Sequence, residues 1–345
     1  MILNIVSEYP KFAFFGAQVV AYGAYVAIRH LLGRTPECFV VSNPDGNPPE
    51  IDGLPVLALD MVSPDTLVVI AVTELLQDEI CAALQSRGYR HTFRLTAAEE
   101  HMLMSEYYAS IGRFPPATIS AHGGAGLALY NVRHHLDRPL RNCPELEPWE
   151  IQIQAGAELT DVRICEQRDD AGINISGKNR QYCEASAMYW VWKNATAPWV
   201  GIGHYRRRLL VSPDMLSGDV DAILPYPYLC HPNAQAQFRR FVGGEIVGAM
   251  LGALRAQHPR DYGNYCRCLD GEHHYAYNLL VAKSAVYADF CEWAWGVTAY
   301  MEALGIRSIK ETRALAYTVE MLTSLYFLSC SDKLNIRHVE KRIYV

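Results

Sequence analysis

Three consecutive arginines, Arg206 to Arg208, follow His204 and Tyr205 at the end of the apolar run Trp199–Gly203. A guanidinium presents a planar fork that pairs bidentately with phosphate oxygens. An imidazole beside it can hydrogen-bond a phosphate, ligate a metal or move a proton. A buried strand ending in such a set of cations suits an anion such as a diphosphate; the alternative is a surface cluster paired with nearby acids. Strand alternation places His204 and Arg206 on one face and Tyr205 and Arg207 on the other. Lys178 and Asn179 stand at the start of an aromatic helical pattern, Gln181–Lys193. Free backbone N–H groups and the helix dipole favour an anion there; a solvated loop lysine is the alternative. Most aromatics of that helix suit packing.

Carboxylates form a second set. Asp219 and Asp221, two apart, offer hard oxygen ligands that would suit Mg²⁺ or Mn²⁺ bridged to phosphates, although such a pair also arises by chance. Asp270 and Glu272 lie in a dense polar segment ending at His274, where either could deprotonate a hydroxyl or simply face solvent. Glu320 falls inside the apolar helical pattern LAYTVEMLTSLYF. An acid there needs a partner, for which Arg313 is the candidate, or a cleft.

These residues need elements to hold them. The first part of the chain alternates strand and helix patterns: an apolar strand near Ile2–Val6, a helix over Val19–Leu32, strands at Cys38–Ser42, Leu54–Leu59 and Leu67–Val72, a helix over Glu74–Arg87 and a strand within Tyr89–Leu95. This order argues for a doubly wound α/β module. Its first turn, Gly16–Ala21 (GAQVVA), stands where a dinucleotide fingerprint would, but Gln18 occupies the position at which glycine lets backbone approach a pyrophosphate. A connector over residues 96–126, helical at first and then punctuated by Pro and Gly, puts the boundary near Phe114–Ile119, dividing 1–118 from 119–345. Beyond it, strands are expected at Leu127–Arg133, Trp149–Leu159, Trp199–Gly203, Ala222–Leu224 and Leu279–Ala282. Helices are expected at Gln181–Lys193, Gly244–Gln257, Ala285–Ala303 and Thr312–Phe327, with Arg260–His274 as a polar segment. The pattern is again α/β.

Composition sets outer limits. The chain has 345 residues, 50% hydrophobic and 20% charged, with a formal net charge of −6, as befits a globular protein of about two domains. Residues 1–118 hold 7 Lys and Arg against 13 Asp and Glu, and the remainder 24 of each, so neither half offers the basic surface a nucleic acid needs. No 18-residue apolar run predicts a membrane span, and the N-terminus lacks the basic region of a secretory signal. The ten cysteines are scattered, which reads as reduced thiols in a cytoplasmic protein.

The long stretch from Asn174 to Arg207 carries a resemblance. Asn174, Ile175, Ser176, Lys178, Asn179, Tyr182, Cys183 and Glu184, then Tyr189, Trp190, Trp192, Lys193 and Asn194, then His204, Tyr205, Arg206 and Arg207 resemble the hallmark of a glycosyltransferase family with an HYRR motif. That family is catalogued as a domain of unknown function and occurs with capsular and exopolysaccharide genes. The resemblance covers roughly 125–345, with Ile173 where the family usually has Asp, a role that is either absent here or taken by Asp169 or Asp170. Residues 1–118 resemble Rossmann-like modules fused ahead of such domains.

The resemblance implies a Rossmann-like module followed by a GT-A-like domain, and transfer of a hexose or related sugar from a nucleotide-diphosphate donor to a glycan or lipid-linked acceptor. It implies donor contacts from His134, Asn174, Lys178, Asn179, His204, Arg206 and Arg207. For such a transfer the residues offer chemistry at His204, with Asp270, Glu272 or Glu320 as the acid that takes the acceptor proton, and Asp219 and Asp221 as the place for Mg²⁺ or Mn²⁺. It places the protein in the cytoplasm, at the inner face of the membrane where the acceptor is. A non-catalytic sugar-nucleotide-binding or assembly protein is the competing expectation.

Overall fold

The computed structural model describes residues 2–120, 124, 126–140 and 144–344. The part of the connector holding His122, Gly123 and Ala125 lies outside the described residues. The chain is α/β, as expected, and divides into two compact units: the residues through Pro115 with Tyr228–Pro232, and Pro116–Pro227 with Asn233–Tyr344. The return of Tyr228–Pro232 to the first unit was not anticipated. Leu229 and Cys230 are buried, and His231 packs its ring 5.2 Å from that of Tyr22.

The first unit opens with a helix, α1 (Ile2–Glu8), where a strand was expected. Ile2, Leu3 and Val6 are buried while Asn4, Ser7 and Glu8 are exposed, a helical spacing that the short apolar run concealed. There follow β1 (Phe12–Phe15), α2 (Val19–Leu32), β2 (Phe39–Val41), β3 (Glu50–Ile51), β4 (Leu54–Ala58), β5 (Leu67–Ile70), α3 (Glu74–Ser86), β6 (Thr92–Arg94) and α4 (Ala97–Ser110). The sheet order is β3-β4-β2-β1-β5-β6. All its pairs are parallel except β3–β4. The parallel strands thus run outward in both directions from β1, the doubly wound arrangement. Gly16, at φ +126°, ends β1 where a Cβ would stand 2.6 Å from the Ala71 carbonyl oxygen, so only glycine fits this turn.

The second unit contains β7 (Leu127–Arg133), β8 (Glu150–Gln154), β9 (Gln167–Arg168), α5 (Asn179–Tyr182), α6 (Ala185–Asn194), β10 (Trp199–His204), β11 (Arg207–Leu209) and β12 (Ala222–Pro225). After β13 (Tyr228–Leu229), which falls to the first unit, come α7 (Ala234–Gln257), α8 (Tyr262–Asp270), β14 (His273–His274), β15 (Leu280–Lys283), α9 (Ser284–Ala303), α10 (Arg307–Glu311), α11 (Ala314–Ser329), β16 (Ile336–Val339) and β17 (Lys341–Ile343). The main sheet runs β16-β12-β15-β10-β7-β8-β9. β15 is antiparallel to both neighbours and the remaining pairs are parallel. β10 is buried along nearly all its length, which explains its continuous apolar run. Its two glycines make room for neighbours: a Cβ on Gly201 would lie 2.6 Å from Val281 Cγ2, and one on Gly203 2.1 Å from Asn131 Oδ1.

Three helical expectations change. The helix expected at Gly244–Gln257 is preceded by a helical segment from Ala234, joined to it across a kink at Gly243 (φ 77°). The aromatic helix is not continuous from Gln181, because Cys183 adopts φ 49° and separates α5 from α6. The polar segment Arg260–His274 contains α8, whose Tyr265 and Leu269 are buried four residues apart; the intervening polar residues hid that spacing. Among the described residues, no helix is long and apolar enough to cross a membrane.

Candidate functional site

β7 and β10 lie side by side and parallel, with His204 opposite Val132. From β7 the sheet continues to β8 on one side and to β10 on the other, so successive connections diverge at this pair. In open α/β sheets a ligand crevice forms outside the carboxyl ends of the strands at such a point. Here a cleft of about 470 Å³ occupies that place. His134 follows β7 into it, His204 ends β10 in it, and Ala155 lines it just beyond β8. Arg133, Arg180, Arg206 and Arg313 bring four guanidinium groups to its wall, against the carboxyls of Asp137 and Glu184.

The cations are short of partners. Among the described residues, Arg206, which lies over the Tyr205 ring, and the exposed Arg180 and Arg313 make no side-chain hydrogen bond or ion pair, and the buried Nε atoms of Arg133 and Arg206 are unsatisfied. A buried donor without an acceptor costs free energy and points to a missing ligand or water. Asp137 does not neutralise them fully: burial raises its pKa, and its Oδ2 already accepts from His134 N at 2.7 Å.

Both imidazoles are neutral. Burial, then the charges of Arg207 and Arg206, lower the pKa of His204 to about 3. Burial, then His135 with its ring 4.2 Å away, lowers that of His134. Arg206 N donates to Nδ1 of His204 and Leu136 N to Nδ1 of His134, both at 3.3 Å. These bonds assign the proton of each ring to Nε2. Two neutral N–H donors thus stand among fixed cations, an arrangement complementary to phosphate oxygens.

The remaining expected site residues are distributed differently. Alternation does not continue past His204, because Tyr205 and Arg206 form a tight turn and His204 pairs with Arg207 in β11. Arg206 still reaches the cleft. Arg207 lies over the Tyr277 ring, 4.1 Å from its centroid. Arg208 is buried in an ion pair with Glu150, its Nε 2.9 Å from Oε1. Lys178 does not face the cleft; its Nζ holds both oxygens of Glu302 at 3.0 Å. The helix start that was to support it is a single turn ended by Cys183. Asn179 lines the cleft but spends its amide on Cys183 O and Ser186 Oγ. Asn174 closes its own loop, donating to Asp170 O and Gly172 O.

Ile173 is exposed. Asp169 is fully buried and accepts from Gly156 N, Ala157 N, Ser176 Oγ and Ser186 Oγ. Asp169 is therefore the hub that folds the Asn174–Asn179 loop against the cleft. Asp170 instead pairs with Arg168.

The acids also move. Asp270 ends α8 exposed, and neither it nor Glu272 lines the cleft. Glu320 is not paired with Arg313; its Oε1 meets His274 Nε2 at 3.2 Å and its Oε2 accepts from Tyr277 N at 2.7 Å. Asp219 and Asp221 precede β12, which runs parallel to β10 through β15, so they lie at the opposite end of the strands from His204. Asp221 binds Lys283 Nζ at 2.8 Å and Asn335 N at 2.9 Å. Its oxygens are engaged, and among the described residues no cluster of three or more His, Cys, Asp or Glu is placed to hold a metal. The pair does not fit a metal site under a ligand in the cleft. Glu184, Arg313, Arg133 and Asp137 were not expected in the site. Only the helical spacing of Arg313 ahead of Glu320, and the Tyr-Cys-Glu run at Glu184, hinted at them.

An α/β unit with a cationic crevice at its switch point is thus the class that fold and site define. The chain belongs to the family described as Domain of unknown function (DUF4422), which matches residues 138–331, more than half of its length. The stretch from Asn174 to Arg207 lies inside that match. In fold, the chain is similar to the apo structure of the bifunctional glycosyltransferase WbbM, with a TM-score of 0.54 and 22% identity over 63% of this chain and 45% of that one. It therefore spans less than half of that protein. No functionally curated protein matches the chain.

Proposed function

We propose that this protein is a glycosyltransferase that binds a nucleoside-diphosphate sugar in the cleft and transfers the sugar to a glycan or lipid-linked acceptor of surface polysaccharide. The observation that carries the reading is the pair of buried, unsatisfied Nε groups of Arg133 and Arg206, with Arg180 and Arg313 beside them, around a switch-point cleft. The fold likeness to a glycosyltransferase supports it. As the bond from the anomeric carbon to the diphosphate breaks, negative charge grows on the leaving phosphate. Arg206 and Arg313, with the Nε2–H groups of His134 and His204, are placed to stabilise it. Charge neutralisation by arginine takes the place of a divalent ion on Asp219 and Asp221. The second unit serves as the GT-A-like catalytic half. The Rossmann-like first unit is a scaffold or regulatory module. A lipid-linked acceptor would bring the protein to the inner face of the membrane.

Calorimetric titration with UDP, GDP, CDP, ADP and TDP tests this reading. One of them binds with micromolar affinity, and Arg206→Ala or Arg313→Ala weakens it at least tenfold without loss of fold. Absence of binding to all five, or unchanged affinity in both variants, contradicts the cleft assignment.

A further inference from the structure

In the second unit, three described residues other than glycine have positive φ: Cys183 (49°), Tyr277 (72°) and Asn278 (53°). All three adjoin one pair of carboxylates. Cys183 precedes Glu184. Tyr277 N donates to Glu320, and Asn278 Nδ2 donates to Glu184 Oε1 at 3.3 Å. Strained backbone persists where surrounding structure over-determines it, and it gathers at functional sites.

The two acids are held differently. Glu320 is fixed by Tyr277 N and by His274, whose Nδ1 lies 2.9 Å from Ser324 Oγ. Asn278 is fully buried, and its Oδ1 accepts from Thr323 Oγ1 at 3.2 Å. Among the described residues, Glu184 is held by that one long side-chain bond and by its own backbone, and it lines the cleft shared with His204, Arg206 and Arg313.

We infer that Glu184 is the catalytic carboxylate of the transfer, with Glu320 as its positioning residue. This rests on the reading of the cleft as a donor site. In the step, the acceptor O–H bond breaks and its proton moves to a Glu184 oxygen. The acceptor oxygen forms a new bond to the anomeric carbon. The anomeric C–O bond to the diphosphate breaks, its electron pair going to the phosphate oxygen beside Arg206 and Arg313. This direct displacement inverts the anomeric centre, and the proton leaves Glu184 to water as product departs.

The electrostatics agree. Burial and the neighbouring Glu320 charge on α11 raise the pKa of Glu184, while Asn278 and Arg207 on β11 oppose them. Arg206 and Arg313 line the same cleft as Glu184, as does His204, whose pKa is lowered. A base poised nearer the working pH transfers protons more effectively.

The test uses the full chain and the isosteric Glu184→Gln. Hydrolysis of UDP-, GDP- and TDP-hexoses, with water as acceptor, is followed by release of the nucleoside diphosphate. Glu184→Gln loses at least about 100-fold in rate, keeps the nucleoside-diphosphate Kd within about twofold, and loses the acid limb of the wild-type pH profile. Glu320→Gln keeps the limb but moves it to lower pH. Unchanged hydrolysis in Glu184→Gln, with nucleotide binding intact, overturns the inference and leaves the donor site standing. Failure of the wild-type protein to bind any nucleotide overturns both.

A substrate-free measurement stands beside it. A carboxyl whose pKa is raised on folding loses stability as pH rises from its unfolded value to its folded one. Glu184→Gln is therefore more heat-stable than wild type near neutral pH and lacks that decline. A less stable Glu184→Gln assigns the residue a structural role and overturns the inference.

Discussion

Arg206, Arg207 and Arg208 are adjacent in the chain and have three different fates. Arg206 keeps a buried Nε with no acceptor at the cleft, Arg207 covers the Tyr277 ring, and Arg208 is locked to Glu150. Removing Arg206 costs ligand affinity, about 1.5–3 kcal/mol for a charge-assisted bond, and little stability. Removing Arg208 strands the Glu150 carboxylate, which also accepts from Asn131 Nδ2. Arg208→Ala should therefore lower unfolding free energy by about 3–5 kcal/mol in urea titration. His204 gives a pH signature. Its folded pKa, at about 3, lies below the unfolded value of about 6.5. The unfolded chain thus binds the proton first as pH falls, and this residue's contribution to stability is whole above about pH 6.5 and lost progressively toward pH 3. His204→Gln should flatten that part of a thermal-melt pH series by one proton's slope. The chemical types of these residues were legible in the sequence. Their partners were not, because the chain reverses at Tyr205 and Arg206, and strand alternation stops there.

At the scale of elements, the site depends on close contact between β7 and β10. Gly203 lets the Asn131 side chain lie across β10, and Asn131 in turn reaches Glu150. Gly203→Ala forces that side chain away and should cost about 1–3 kcal/mol of stability, measured as a lower urea midpoint with unchanged slope. Long periodic elements such as α2, α9 and α11 could be read from their apolar spacing, as could the buried β5 and β10. The α1 helix could not, because seven residues do not separate a helical period from a strand. The α5–α6 break could not either: Cys183 stands at φ 49°, with Asn179 bonding across the break to Cys183 O and Ser186 Oγ, and no apolar spacing encodes such a side-chain bridge. The same loop explains why Asn174, Ser176 and Asn179 form a motif. They wrap the Asp169 carboxylate or close the turn around it, and the sequence could not say whether they touched a ligand or one another.

Across the whole second unit, the two ends of the strands of the main sheet have separate work. The carboxyl ends of β7 and β10 carry the cleft, while at the opposite end of the strands Asp221 ties β12 to Lys283 and Asn335, and the Asp219 carbonyl oxygen accepts from Asn335 Nδ2. The double variant Asp219→Asn/Asp221→Asn should keep nucleoside-diphosphate affinity within twofold by calorimetry while lowering the melting temperature; lost affinity would return metal binding to that pair. The spacing of two aspartates was visible in the sequence, but their distance from His204 depends on strand order, which no local pattern encodes. The most direct test of the account is a crystal structure with the tightest-binding nucleoside diphosphate from the calorimetric series. Phosphate oxygens are expected within hydrogen-bonding distance of Arg206, Arg313 and Nε2 of His204. A diphosphate seated at Asp219 and Asp221, or in the first unit alone, would contradict it.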